Sequence, residues 1–243
     1  MKTARPVLSS QNYLHVTIDV PTPRATRFVS LMRTLLPKFT APVPTNPARD
    51  LTFGWTLIAA LRAEQKGATR FTHLWQVDPV RPWMTDVMAE CGTDPTYAAL
   101  DLLVDREAQE YMRSNDHYLP AGATWPEVLP RRCAIETLQV TRDPAALSAF
   151  EVGASLLDNS GMAGLAERAA TTHGWTLLLP LTPETGLLRQ FVHIWAIDGR
   201  GTQDVATVRR WLLRQPEYRA GVESTAITIA KPFTYAHAGA RRR

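Results

Sequence analysis

Two stretches of the chain are versions of one another: residues 53–78, FGWTLIAALRAEQKGATRFTHLWQVD, and residues 173–198, HGWTLLLPLTPETGLLRQFVHIWAID. They align without a gap at an offset of 120 residues and are identical at 10 of 26 positions. Each copy holds two tryptophans at the same places, although the whole chain has only seven. The shared residues include Gly54/Gly174, Trp55/Trp175, Phe71/Phe191, His73/His193, Trp75/Trp195 and Asp78/Asp198. A period this long is typical of two tandem copies of one small domain.

Each half of the sequence predicts the order strand, helix, strand, strand, helix, strand. In the first half, a strand at 13–20 precedes a helix with apolar positions from 28 to 35, which Pro37 closes. A hairpin follows, with its turn near residues 65–67. The remaining predicted elements are the strands 54–61 and 71–77, a helix through 83–88, and an ordered stretch to about residue 112.

The second half repeats this order. Its first helix is predicted after Asp143-Pro144, because an aspartate N-cap before a proline is a common helix start. The remaining predicted elements are the strand 133–141, the apolar helix stripe 147–157, the hairpin strands 174–181 and 191–197, a helix through 205–212, and the strand 225–229.

This element order is the ferredoxin-like arrangement, in which helices cover one face of an antiparallel sheet. The other face must also be covered, so the sequence predicts an α+β fold of two tandem ferredoxin-like domains whose sheets pack into a pseudo-two-fold α/β barrel. The predicted ranges are a first domain at 1–112, a linker at 113–131, a second domain at 132–235 and a disordered basic tail at 236–243.

Composition excludes several functional classes. The formal charge of +4 comes with four lysines and 23 arginines, and the one dense basic cluster is the C-terminal Arg241–Arg243, so no nucleic-acid partner is expected. Kinases, dinucleotide oxidoreductases and zinc hydrolases are excluded because the sequence lacks P-loop, GxGxxG and HExxH motifs. Cys91 and Cys133 have no metal-type spacing, and no apolar stretch reaches the length of a membrane span. We therefore expect a cytoplasmic protein with no membrane partner and no metal site.

Several short motifs resemble the NIPSNAP family. They are His-Leu-Trp at 73–75, His-Ile-Trp at 193–195, Ile-Glu-Thr-Leu at 135–138, Pro-x-Tyr at 95–97 and 216–218, and Lys-Pro-Phe at 231–233. The resemblance covers most of 130–235 and, less closely, 12–112. In the first half, His15 stands in place of the Glu136 of the second copy, and residues 105–112 (DREAQEYM) look unlike a strand.

The resemblance implies membership of the dimeric α/β-barrel superfamily. That superfamily includes cofactor-independent monooxygenases of antibiotic biosynthesis, lactone isomerases, polyketide cyclases and haem-binding or haem-degrading enzymes. Some of its members have no known catalysis. A shared fold does not by itself assign a function, which has to be argued from the site.

The candidate catalytic residues are His73, His193, Glu136 and His15. Strand alternation puts each of the two paired histidines, His73 and His193, between large aromatics on one strand face, where burial could shift its pKa. Each could then act as a general base on an acidic phenol or enol, or ligate haem. Equally, a histidine present in both copies suits a structural role. Glu136 on a buried strand would need a partner, so it is solvated, salt-bridged or part of a pocket.

The candidate substrate-binding residues are aromatic. Tryptophans and tyrosines at matching places in both halves could line an apolar pocket, or they could simply fill the core. They are Trp55, Trp75, Trp175, Trp195, Tyr97 and Tyr218.

These features favour a small-molecule enzyme of secondary metabolism that acts in a hydrophobic barrel cavity without a nucleotide cofactor. Oxygenation, cyclisation or isomerisation of an aromatic or polyketide-like substrate would suit such a cavity. The alternative is a non-catalytic ligand-binding or assembly protein, which a cavity filled by side chains would favour. A minor alternative is haem binding. Apart from the hydrophobic substrate, the exposed barrel edges leave room for a homodimer partner.

Overall fold

The computed structural model describes residues 7–8, 11–40, 54–77, 93–114, 123–126, 130–140, 162–183, 190–199, 201, 204–219 and 221–235. The chain divides into two compact units. The N-terminal unit contains residues 12–110 and the residues from 233 onward, and the C-terminal unit contains 1–11 and 111–232. Each unit therefore includes a segment from the opposite end of the chain.

The N-terminal unit has one antiparallel sheet with helices. Strand β3 pairs with β1 on one side and β2 on the other, and Leu14 lies opposite Trp75 in the β1–β3 ladder. Strand β4 begins in this unit and ends in the other. The elements are β1 (Asn12–Pro21), a 3₁₀ turn (Thr22–Arg24), α1 (Ala25–Thr40), β2 (Thr56–Gln65), β3 (Ala68–Val77), α2 (Pro95–Asp101) and β4 (Arg106–Ser114).

The C-terminal unit repeats the plan. Its strands lie in the order β8–β5–β7–β6, and residues 112–114 of β4 pair antiparallel with β6. The elements are β5 (Arg132–Val140), α3 (Met162–His173), β6 (Trp175–Pro183), β7 (Gln190–Ile197), α4 (Val205–Leu212), α5 (Pro216–Arg219) and β8 (Val222–Pro232). The prediction of an α+β fold built from ferredoxin-like modules is confirmed.

Glycine explains part of the sequence repeat. Gly54 and Gly174, which precede the two tryptophan strands, have φ values of 66° and 68°. Residues with a Cβ rarely adopt that left-handed conformation, so both copies need glycine. A Cβ at Gly174 would also lie 2.8 Å from the backbone of Gly201. The predicted turn of the first hairpin is confirmed at Gly67, whose φ is 78°.

Two predictions about the first half are wrong. Pro37 does not close α1, which continues to Thr40. Phe39 stabilises this last turn because its ring stacks on Trp55 at 6.2 Å and meets Trp75 edge-on at 5.5 Å. Residues 106–114 do form a strand despite their polar sequence. Ladder hydrogen bonds and the burial of Met112 and Ser114 outweigh weak β-propensity there.

Several predictions fall outside the described residues: the helix at 83–88, the helix stripe at 147–157, Cys91, Asp78 and the tail 236–243. The helix that leads into β6 is Met162–His173, which the sequence patterns did not indicate. The predicted helix 205–212 and the strand around 225–229 are confirmed.

Candidate functional site

Strand β3 turns His73 and Trp75 toward the helices of the N-terminal unit. Phe71 lies on the same strand face and stacks on Phe28 of α1, with ring centroids 4.7 Å apart. Because residues two apart share a strand face, this contact shows that the side chains of Phe71, His73 and Trp75 all point toward the helices. The site is therefore built between the sheet and its helices.

His73 is buried and bonded to a residue near the end of the chain. Its Nε2 lies 2.6 Å from the hydroxyl oxygen of Tyr235. Burial lowers the pKa of His73 from 6.5 to about 4 and raises the pKa of Tyr235. Both groups are consequently neutral at neutral pH, and they form a buried polar pair in apolar surroundings.

The segment that carries Tyr235 is fixed by backbone contacts. The Phe233 backbone N–H donates to the carbonyl of Ala60 at 2.8 Å, and Arg33 Nε donates to the carbonyl of Tyr235 at 2.8 Å. The Phe233 and Tyr235 rings pack edge-on at 4.8 Å. Sequence reasoning missed Tyr235, although an aromatic pair two residues apart directly after the last strand is a signal that could have found it.

A cavity of about 60 Å³ lies beside His73 in the N-terminal unit. Its lining runs from buried side chains to the exposed Glu107 and Gln109, so it has an inner end and an outer rim. It has room for a few water-sized groups. The lining residues are Leu14, Val16, Ile18, Met32, Phe39, Trp55, His73, Trp75, Tyr97, Leu100, Glu107 and Gln109.

Four of the predicted site residues thus line one cavity: His73, Trp55, Trp75 and Tyr97. Tyr97 arrives there on α2, whose N-cap Asp94 accepts hydrogen bonds from the Thr96 and Tyr97 backbone N–H groups. Trp55 and Trp75 pack with ring centroids 6.1 Å apart. Sequence patterns identified the aromatic wall of the cavity but not its aliphatic residues.

The corresponding region of the C-terminal unit is occupied by the Glu136 carboxyl group. Glu136 is 0% exposed. Its Oε2 accepts from Trp195 Nε1 at 2.9 Å and from the Tyr218 hydroxyl at 2.8 Å, and its Oε1 accepts from the Thr225 hydroxyl at 2.9 Å. His193 Nδ1 lies 3.5 Å from Oε2 and 3.3 Å from the Tyr218 hydroxyl oxygen. Of the alternatives for Glu136, solvation is wrong, since this side chain is buried and Trp195, Tyr218 and Thr225 donate to it.

Helix residues close over this network. The buried cluster around it includes Trp175 and Trp195, both at 0% exposure, and Tyr218 at 1%. The helical residues in the cluster are Leu165, Ala169, Val208, Leu212 and Tyr218. This placement favours a packing role for the predicted site residues of the C-terminal unit.

Strand register identifies the residue that matches Glu136. Glu136 lies opposite His193 in the β5–β7 ladder, and Val16 lies opposite His73 in the β1–β3 ladder. The counterpart of Glu136 is therefore Val16, at the offset of 120, and the expectation that His15 takes its place is wrong. The histidine–tryptophan centroid distance is 6.1 Å in both units.

His15 lies on the opposite face of the sheet from the cavity, because its neighbours Leu14 and Val16 line it. His15 is 9% exposed, and its Nε2 has no hydrogen-bond partner among the residues that the structure describes. Burial lowers the pKa of His15 to about 4. The structure therefore does not bring His15 together with His73.

Within the part of the chain that the structure describes, no three histidine, cysteine or acidic side chains are grouped as a metal-ion ligand set. None of the helices in the described ranges is long and apolar enough to cross a membrane.

No protein-family model matches the chain, and no curated protein matches it either. Solved structures do match over nearly the full length. An anthrone oxidase-like protein aligns with a TM-score of 0.54 and 13% identity, covering 94% of this chain and 95% of its own. A monooxygenase candidate from Lactobacillus acidophilus aligns with a TM-score of 0.50 and 7% identity, covering 92% and 95%.

A heme-binding protein from Thermus thermophilus aligns with a TM-score of 0.51 and 11% identity, covering 96% of this chain and 94% of its own. At such identities the matches show a shared fold alone. The structural neighbours are ferredoxin-like dimeric α/β-barrel proteins, several of them of monooxygenase type.

Proposed function

We propose that this chain is a small-molecule enzyme of oxygenase type that binds an aromatic substrate in the cavity of the N-terminal unit. The observation that carries the proposal is the cavity itself, with a buried neutral histidine beside two tryptophans at its inner end. Small-molecule sites are mostly apolar and hold a few placed polar groups. His73 is the base or orienting group, and Trp55, Trp75 and Tyr97 are the cavity wall.

Structural neighbours support the type of reaction. They include an anthrone oxidase-like protein and monooxygenase candidates. Oxidation of a phenol with an open para position needs no cofactor when the substrate itself supplies the electrons. A base removes the phenolic proton, the phenolate reduces O₂, and the para carbon loses hydrogen and gains one oxygen atom. The second oxygen atom leaves as water, so phenol and O₂ give a quinone and water.

The environment of His73 defines its part in this step. A pKa of about 4 keeps the imidazole unprotonated at neutral pH, as a base must be, but makes it a weak proton acceptor. Negative charge that develops on the substrate beside it raises that pKa. The proton thus moves to His73 together with charge formation, and the Tyr235 hydroxyl bonded to Nε2 holds the ring in position.

Oxygen uptake with one-ring phenol, 1-naphthol and anthrone tests the proposal over a series of increasing size. We expect quinone formation with stoichiometric O₂ uptake, and a loss of about 100-fold or more in His73→Gln, the usual contribution of a general base. His193→Gln is the matched control, and it should retain most activity wherever it remains folded. Equal losses in the two variants, or no uptake with any probe, would contradict the assignment.

Haem is a candidate ligand of the same cavity, because a heme-binding protein is among the structural neighbours. Haem iron would need a ring nitrogen of His73 as its ligand, and Nε2 is engaged by the Tyr235 hydroxyl. The described residues therefore do not fit a haem there. A haemin titration that produces a haem absorption band would contradict this.

Finer assignments remain proposals: NIPSNAP membership, cyclisation or isomerisation in place of oxygenation, and a role in antibiotic biosynthesis. Homodimer formation and a cytoplasmic location stay predictions. The alternative of a ligand-binding or assembly protein of NIPSNAP type rests on the filled core of the C-terminal unit. It predicts ligand binding in the N-terminal cavity with no turnover, which the oxygen measurement separates from catalysis.

A further inference from the structure

In the C-terminal unit, the space between the sheet and the helices holds a carboxyl group that belongs to the chain itself. Its Glu136 carboxyl group accepts from Trp195 and lies beside His193, and neutral donors supply all three of its hydrogen bonds shorter than 3 Å. The described donors to this carboxyl group thus include no lysine or arginine, and several oriented neutral donors replace its water shell.

The N-terminal unit keeps the tryptophan and the histidine but not the acid. Val16 lies opposite His73 just as Glu136 lies opposite His193. The tryptophan pairs have similar geometry too, with centroids 6.1 Å apart at 55° for Trp55–Trp75 and 6.4 Å apart at 51° for Trp175–Trp195. Val16 has no acceptor atom to offer, and it lines the cavity.

The two histidines also use different ring nitrogens. His193 presents Nδ1 to the Glu136 carboxyl group, whereas His73 bonds Tyr235 through Nε2. The Nδ1 atom of His73 is therefore the one that corresponds to the acid-facing atom of His193. No described residue of the N-terminal unit places an acidic group here, which leaves this position to a ligand.

We propose that the N-terminal cavity binds a small molecule with a carboxyl group, which takes the position that Glu136 takes in the C-terminal unit. The carboxyl oxygens accept from Trp75 Nε1 and lie beside His73, at the buried inner end. The remainder of the ligand contacts Leu14 and Ile18 and extends toward the rim. Glu107 at the rim is exposed, so solvent screens its repulsion. This inference rests on the proposed function: the carboxyl group takes the place beside His73 that the phenolic oxygen takes during oxidation, so an aromatic acid binds in competition with the phenol.

Binding of benzoate and of benzamide, which has the same shape without the acid, tests the inference by calorimetry. The wild-type protein should bind benzoate at least about tenfold more tightly, since charge-assisted hydrogen bonds are roughly twice as strong as neutral ones. Val16→Glu supplies the acid from the chain and should abolish benzoate binding. Val16→Gln fills the same volume without the charge and is its control. Where Val16→Glu does not fold, Trp75→Phe should remove the preference for the acid and retain benzamide binding.

A reciprocal test uses the C-terminal unit. Glu136→Ala leaves the donors of Trp195, Tyr218 and Thr225 around a hole, and added acetate should fill it. We expect acetate to raise the melting temperature of this variant by about 2 °C or more, with no such rise for acetamide or for the wild-type protein. Equal binding of benzoate and benzamide by the wild-type protein, or no difference between acetate and acetamide in the variant, would overturn the inference.

The outcomes separate this inference from the proposed function. Benzoate binding without oxygen uptake from any phenol would leave the carboxyl site standing and remove the oxygenase. Oxygen uptake with 1-naphthol that is not inhibited by benzoate would leave the oxygenase standing and remove the carboxyl site.

Discussion

The two units of this chain share strand order, register and aromatic residues, yet they differ at the centre of the sheet–helix layer. In the C-terminal unit, Glu136 and Tyr218 fill that centre with a hydrogen-bonded network. In the N-terminal unit, Val16 leaves a cavity beside His73. The difference teaches that a duplicated fold can keep the same histidine in two different surroundings, one filled by side chains and one beside a cavity. The position that differs between the copies, Val16 against Glu136, decides which of the two surroundings forms.

The largest expected effect comes from a substitution that breaks the hydrogen-bonded network around Glu136. Glu136→Ala should lower the free energy of unfolding by about 3–5 kcal/mol, because three buried donors lose the carboxyl group that they share. Val16→Ala, the matched change in the N-terminal unit, should lower it by only about 1 kcal/mol, since it removes methyl groups next to an existing cavity. Urea denaturation measures both. Similar losses in the two variants would mean that the units are equivalent after all.

Lowering the pH should destabilise the protein through titrating groups of the N-terminal unit. The folded-state pKa of His73 is lowered from 6.5 to about 4, so the unfolded chain binds the proton more readily between those values. Its contribution to stability is therefore complete above pH 6.5 and is lost as the pH falls to 4, by about 3 kcal/mol at the limit. His15 acts in the same direction.

Glu110 opposes this trend, because burial raises its pKa to about 7 and its contribution is lost as the pH rises from 4.5 to 7. Denaturation curves between pH 4 and 7 should show a shallower acid loss in His73→Gln than in the wild-type protein, and a steeper one in Glu110→Gln. An unchanged slope in His73→Gln would show that this histidine is not buried as a neutral group.

The paired glycines give a smaller contrast. Gly54→Ala should cost about 1–2 kcal/mol, the strain of a left-handed residue with a Cβ. Gly174→Ala should cost more, about 2–3 kcal/mol, because its Cβ would also meet the backbone of Gly201 at 2.8 Å. Thermal unfolding of the two variants compares them directly, and a smaller loss in Gly174→Ala would contradict the close packing at that turn.

The smallest effect comes from the two tyrosines that bond the histidines. Tyr218→Phe removes a hydroxyl group that contacts both Glu136 and His193 and should cost about 2 kcal/mol. Tyr235→Phe removes one bond to His73 and should cost about 1 kcal/mol. If Tyr235→Phe were the more damaging to stability, the terminal segment would be a larger part of the core than its contacts indicate.

The repeat made the fold predictable, while the site was predictable only in part. Strand alternation placed His73 and Trp75 on one face, and glycine marked the hairpin turn. Pro37 was misleading because Phe39 packs on two tryptophans that are distant in sequence. The β4 strand was missed because its stability comes from neighbouring strands, which its own polar residues do not reveal.

The contrast between Val16 and Glu136 was readable in principle, since both lie at the offset of 120. An alignment at an offset of 121 pairs Glu136 with His15 instead. A slip of one residue along a strand moves its side chains to the opposite face of the sheet. The aliphatic cavity wall could not be predicted, because it depends on packing between segments that no local pattern connects.

A crystal structure under xenon pressure tests the central claim most directly, since xenon enters apolar cavities whatever their natural ligand. The predicted result is a xenon atom beside Val16 and Leu100 in the N-terminal unit and none among Leu165, Trp195 and Val208 in the C-terminal unit. Xenon in the C-terminal core, or none beside Val16, would contradict the account.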